Sequence, residues 1–227
     1  MLTSLWLTLE DLQSISGPLQ IKDIDIDFTD VTITDCEYNG LQCEGLSNVT
    51  LDNIAINSPA SSILCNGTSK ENTNCRINNV TTTDGSSIEV SNYSNVNIEN
   101  VTITDSRSSR IYCSGSSSRD ILNINNVIIT SPKGSGIYVR SYLNVNIDKA
   151  TITDSEKGNG IYCQDTKTTK VRNSVIGRTA NPGIYFRESE TGDLGTADDP
   201  GNNQIFRNRQ FRQLPDGFTN SEIGIIG

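Results

Sequence analysis

Histidine is absent from this chain of 227 residues, so no chemistry here runs through an imidazole. No C-x-x-C pair occurs among its six cysteines, and zinc is not indicated. Basic residues are scarce, 18 against 27 acidic ones, and the net charge of −9 argues against nucleic acid as a partner. No apolar run is long enough to span a membrane. The opening MLTSLWLTLED has no basic leader, and Glu10 and Asp11 cut its apolar stretch short, so it reads poorly as a signal peptide. The expectation is a chain lacking its leader or forming a piece of a longer protein. Hydrophobic content is low too, at 34%. A body with a narrow core and much polar surface accounts for that without disorder.

What the chain does have is one pattern, seven times over. A VTITD-type run begins at Val31, Ile54, Val80, Val101, Val127, Ala150 and Ser174, with gaps of 23, 26, 21, 26, 23 and 24. A VNIEN-type run precedes it and a GIYV-type run follows, as in NVNIENVTITDSRSSRIYC from Asn95 to Cys113. A period in this range marks a solenoid. Within each run apolar and polar residues alternate, which sends them to opposite faces of a strand. Val96/Ile98, Val101/Ile103 and Ile111/Cys113 point inward in one repeat, and their equivalents do so in the others. Three inward stripes at one period predict a three-sided tube whose coils stack about 4.8 Å apart. Nothing between the runs is long enough for a crossover helix.

The corner between the first two runs carries Asp30, Asn53, Asn79, Asn100, Asn126, Lys149 and Asn173. Asn tolerates the left-handed conformation that a tight bend needs, and its side chain can bond the next Asn. The segment 1–18 is expected to add one more coil or an N-terminal cap. Regular coils are expected over 19–190 and a divergent last coil or cap over 191–227, all in one domain.

The run order, the Asn corner and the GI-x-V line together resemble the right-handed parallel β-helix of the pectate lyase-like superfamily, over about Leu19 to Glu190. The resemblance implies an all-β parallel β-helix of about seven or eight three-strand coils. Its members include polysaccharide lyases, hydrolases, epimerases, tailspikes and surface proteins, so fold alone does not choose an activity. The polygalacturonase pattern needs carboxylates before the GIYV line, a Gly-His-Gly and an Arg-Ile-Lys. Here that position holds pairs such as Ser135-Gly136, Asn159-Gly160 and Pro182-Gly183. The two carboxyls of an inverting hydrolase are missing there, and the epimerase signature lacks its histidine. A lyase using Arg or Lys as base, helped by Ca²⁺, stays open. Calcium is the one cofactor left open, with Asp84 and Asp105 as ligands, although an Asp after a strand ordinarily forms an Asx turn. Asp23, Asp25 and Asp27 are expected on one outward acidic stripe. The segment from Asp193 to Asn203 reads as a turn-rich end loop.

The outward column of the third run ends in four tyrosines, Tyr112, Tyr138, Tyr162 and Tyr185, with Arg110, Lys133, Arg140, Lys157 and Arg187 around them. Aromatic rows with cations can stack on sugars and pair with acid groups, and in the resembling family this sheet forms the substrate groove. The expected function is therefore non-catalytic: a secreted or surface β-helix that binds a polysaccharide or acts as a spacer. The plain alternative is that stacked tyrosines only stabilise neighbouring strands. Outward Thr-x-Thr pairs in four of the seven coils, interrupted at Ala55/Asn57 and Ile128/Thr130 and ended at Val175/Gly177, give a third reading, an ice-binding plane. Cys43, Cys65, Cys113 and Cys163 fall on an inward column and behave as small hydrophobes, with Cys43 and Cys65 near enough for a disulfide. Sequons start at Asn48, Asn66, Asn79, Asn92 and Asn100, and NVT patterning alone produces such triplets.

Overall fold

Alternation of the predicted kind gives ten-residue strands rather than separate short ones. A computed structural model describes residues 6–9, 15–34, 36, 40–57, 62–83, 87–104, 110–117, 119–196 and 198–208. Asp25–Thr34, Asn48–Asn57, Asn74–Thr83, Asn95–Thr104, Ile121–Thr130 and Asn144–Thr153 each fuse the first two runs of a repeat. All pair in parallel with their neighbours. In the seventh repeat the two runs separate into Thr168–Arg172 and Val175–Gly177. The third runs form a second parallel sheet, from Leu19–Lys22 through Ile184–Arg187. Hydrogen bonding thus recognises two sheets, one of them folded along the Asn corner. The fold is an all-β parallel solenoid of the expected kind, with no helix among the described residues.

At each end a short strand extends the stack. Trp6–Leu9 pairs in parallel with Asp25–Phe28, and Ile15–Ser16 pairs with Ile33–Thr34. Thr191–Asp193 and Gln204–Phe206 pair with the runs of the seventh coil.

The fold in the long strands has a definite cause. Asp30, Asn53, Asn79, Asn100, Asn126, Lys149 and Asn173 all have φ between 50° and 60°, and Asn202 continues the column at 52°. This left-handed conformation disfavours most side chains, and Asn bears it best after Gly. The corner side chains also bond up the stack. Asn126 Nδ2 donates to Asn100 Oδ1 at 2.7 Å, Asn100 Nδ2 to Asn78 Oδ1 at 2.9 Å, and Asn202 Nδ2 to Asn173 Oδ1 at 3.1 Å. A parallel ladder joins Asn48, Asn74 and Asn95. Replacing Asn126 by Val should destabilise the protein by about 1–2 kcal/mol more than replacing it by Gly, because Gly accepts the positive φ and a β-branched residue does not. Urea denaturation of the two variants measures the difference.

The core is a set of vertical apolar stacks. Ile98, Ile124 and Ile147 lie opposite one another in register, each no more than 1% exposed. Tyr93 and Tyr142 join them at the corner that follows the third run. All six cysteines are free and buried. Cys43 and Cys65 are register partners, joined by a thiol hydrogen bond.

Candidate functional site

The third runs are short because each is bounded by turns. Ile111–Ser114, Ile137–Arg140, Ile161–Gln164 and Ile184–Arg187 turn Ile and Cys, Val or Phe inward, and Tyr and a polar residue outward. Just past the last three, Ser141, Asp165 and Glu188 take φ of 60°, 51° and 51°, which sends the chain round the corner. Gly136, Gly160 and Gly183 precede three of these strands, at positions that leave no room for a Cβ. One built on Gly160 would lie 2.3 Å from Ile176 Cγ2 and 2.6 Å from Gly183 O.

Register therefore delivers Tyr112, Tyr138, Tyr162 and Tyr185 to one vertical row. Their ring centroids are 5.2, 4.7 and 5.4 Å apart. The interplanar angle falls from 79° through 37° to 10° along the row, so the last pair is stacked. All four are half-buried, each with part of its surface open to solvent. The next outward column carries Arg140, Gln164 and Arg187. Gln164 Oε1 accepts hydrogen bonds from Tyr138 Oη at 3.0 Å and Tyr162 Oη at 3.4 Å. Arg187 donates to Tyr162, and this bond with the nearby Glu188 carboxylate raises the guanidinium pKa. Partial burial raises that of the Tyr138 phenol. Arg140 lies 3.8 Å from Asp165, and Arg187 3.3 Å from Glu188, with both guanidinium groups about half exposed. Exposed pairs of this kind contribute little to stability and leave the cations available.

The other predicted residues fall elsewhere. Arg110 does not face solvent: it is 0% exposed. It occupies the register position that Gly136, Gly160 and Gly183 hold in later coils, and its side chain runs inward there. Its Nη2 donates to Thr130 O at 3.2 Å and Ser131 O at 2.8 Å, capping the carbonyls where the strand above ends. Lys133 and Lys157 are exposed, but sit on the turns leading into the tyrosine strands rather than on the strands themselves. Asp84 and Asp105 lie outside the described residues. Among the described residues no three carboxylates or thiols converge as a metal site would require.

Asp23, Asp25 and Asp27 do not share an outward stripe. The backbone turns at Asp23, φ 58°, and delivers Asp25 into the corner, 9% exposed. There its carboxylate accepts from Ser47 N, Asn48 N and Asn48 Nδ2 at 3.0, 2.7 and 2.8 Å. Asp193 and Asp199 of the C-terminal loop are likewise engaged. Arg172, 8% exposed, donates to both carboxylates of Asp193 and Asp199 at 2.7–3.2 Å, and Lys170 pairs with Asp199 at 3.3 Å. This arginine centre was not foreseen from sequence. Its one signal is the spacing of 21 between Arg172 and Asp193, a single period of the repeat.

Two clefts of about 480 Å³ each run along the corner after the third sheet and share Ser116 and Ser117. In one, Ser116 N and Ser117 N close a turn on Asp120 Oδ2 at 2.6 and 2.8 Å.

A family model described as "Right handed beta helix region" matches residues 61–212, well over half of the chain. The chain belongs to the right-handed β-helix family. No curated protein and no solved structure matches it. Family membership agrees with the parallel coils and the absence of helix among the described residues, none of which forms a helix long and apolar enough to cross a membrane.

Proposed function

We propose that this β-helix is a non-catalytic carbohydrate-binding protein of the cell surface or exterior, and that its tyrosine face receives an acidic polysaccharide. The observation that carries the reading is the row Tyr112, Tyr138, Tyr162 and Tyr185, at ring spacings of 4.7–5.4 Å, beside Arg140 and Arg187. The exposed part of each ring offers an apolar surface to a sugar, and its hydroxyl a polar handle. Guanidinium groups pair with carboxylate or sulfate in two parallel hydrogen bonds. The row advances by one ring per coil, so an extended glycan laid along the axis meets a fresh ring at each step. A lyase on this face would need a base of lowered pKa, and Arg187 is shifted the other way.

Tyr138→Ala/Tyr162→Ala and Arg140→Gln/Arg187→Gln, measured by glycan array and calorimetry with acidic polysaccharides, test the proposal. Both variants should lose binding. The tyrosine variant should melt only slightly earlier, since each stacked pair is worth about 0.2–1 kcal/mol. Equal glycan signals from wild type and variants would leave the row a strand-stabilising ladder and the protein a spacer. Unsaturated-product absorbance from the wild type would make it a lyase instead.

A further inference from the structure

The face formed by the second runs is unlike the other two. Its outward positions form two columns in continuous register. One is Thr32, Ala55, Thr81, Thr102, Ile128, Thr151 and Val175; the other is Thr34, Asn57, Thr83, Thr104, Thr130, Thr153 and Gly177. Not one of these side chains is charged, in a chain whose charged fraction is 20%. The first-run face carries Asp27, Asp52, Arg76, Glu99, Asp148 and Lys170, and the third-run face carries Lys22, Glu44, Glu89, Arg140 and Arg187. Among the described residues, charge lies at the rims of the second face, where Arg178 and Asp154 pair on one side and Asp30 and Lys149 stand in the corner on the other. Nine of the fourteen residues are Thr, and the one large exposed apolar side chain among the described residues, Ile128, lies in the same plane. No register shift interrupts these ladders, whereas the third sheet has one between Glu44 and Leu46.

We infer from this plane that the protein adsorbs to ice. Threonine supplies a hydroxyl and a methyl group at nine of the fourteen points of a grid, about 4.8 Å along the axis and about 7 Å along the strand. The axial spacing is close to the oxygen repeat along the basal axis of hexagonal ice. Ionic groups would orient their own hydration water and oppose lattice order, and they are missing from this face alone. A second copy of the chain is the poorer occupant. Six coil spacings by two columns give a patch of about 30 Å by 10 Å, or about 300 Å², against the roughly 800 Å² per partner of a stable protein interface. A growing crystal surrounds an adsorbed protein with new lattice and does not need that area.

Nanolitre osmometry and ice-recrystallisation assays on the whole chain at millimolar concentration test the inference. Wild type should shape ice crystals and show thermal hysteresis. Thr102→Lys and Thr151→Lys, which project outward and leave the core intact, should lose most of it with unchanged circular dichroism melting. Tyr138→Ala/Tyr162→Ala should keep it, which separates this face from the proposed glycan face. Absence of both shaping and hysteresis in the wild type would overturn the inference. So would equal activity in the lysine variants, or an ice-inactive wild-type dimer that Thr102→Lys dissociates.

Discussion

Raising the pH above the ordinary thiol value of 9.0 should unfold this protein steeply. Cys43, Cys65, Cys113 and Cys163 are buried and hold their protons when folded. The hydrogen bond to Cys65 and then burial push the Cys43 thiol up, burial does so for Cys113, and burial raises Cys163 to about 12. In the unfolded chain each ionises near 9.0. Folded pKa values above unfolded ones mean that this stabilisation is fully present below pH 9.0 and is lost as the pH rises towards the folded values. Well above the unfolded value each thiol contributes a slope of about 1.4 kcal/mol per pH unit. Four thiols give about 5.5 kcal/mol per pH unit, enough to exhaust a typical stability of 5–15 kcal/mol within roughly three units. The buried phenols of Tyr93 and Tyr142, also shifted upward, add to the loss at still higher pH. Urea midpoints taken under reducing conditions from neutral pH upward should trace this slope. A variant with alanine at the four cysteines should be weaker at neutral pH but shallower in its alkaline decline. An unchanged slope would show that the thiols are not what the fold protects.

Ile124→Ala should remove about 2–5 kcal/mol, the range for a large-to-small change in a close-packed core. Ile124 is 1% exposed and lies between Ile98 and Ile147. In a stacked repeat each coil contacts only its neighbours, so a hole in a middle coil weakens two interfaces at once. Among the described residues Ile205 stacks on one coil only, through Ile176, and is 5% exposed, and its replacement by Ala should have the smaller effect. Chemical denaturation of both variants decides. A change below about 1 kcal/mol at Ile124, typical of a surface site, would mean that the apolar stacks are not the source of stability.

The rules read from the sequence differ in how far they reach. The alternation in VNIEN and VTITD placed Val96, Ile98, Val101 and Ile103 inside correctly, because side-chain direction in a strand depends only on parity. The Asn corner was legible because positive φ has a strong local preference. Arg110 defeated the same reasoning. It precedes the strand, at a column held by Pro, Gly or Ser in the other described coils, and only the close approach of neighbouring coils decides that its side chain goes in. Asp25 failed for a related reason: parity breaks at Asp23, where the backbone turns left-handed. The tyrosine row was visible as a period, but the tilt of its rings and the bonding of Gln164 and Arg187 to it were not.

Periodicity alone determined that this chain forms stacked coils with three inward stripes, since burying one face of every run is possible only if each rung lies upon the next. The tertiary structure decided which polar side chains are spent inside the molecule, as Arg110, Arg172 and Asp25 are, and which remain on its surface. That choice depends on contacts one coil away, about 21–26 residues along the chain, where no local pattern reaches.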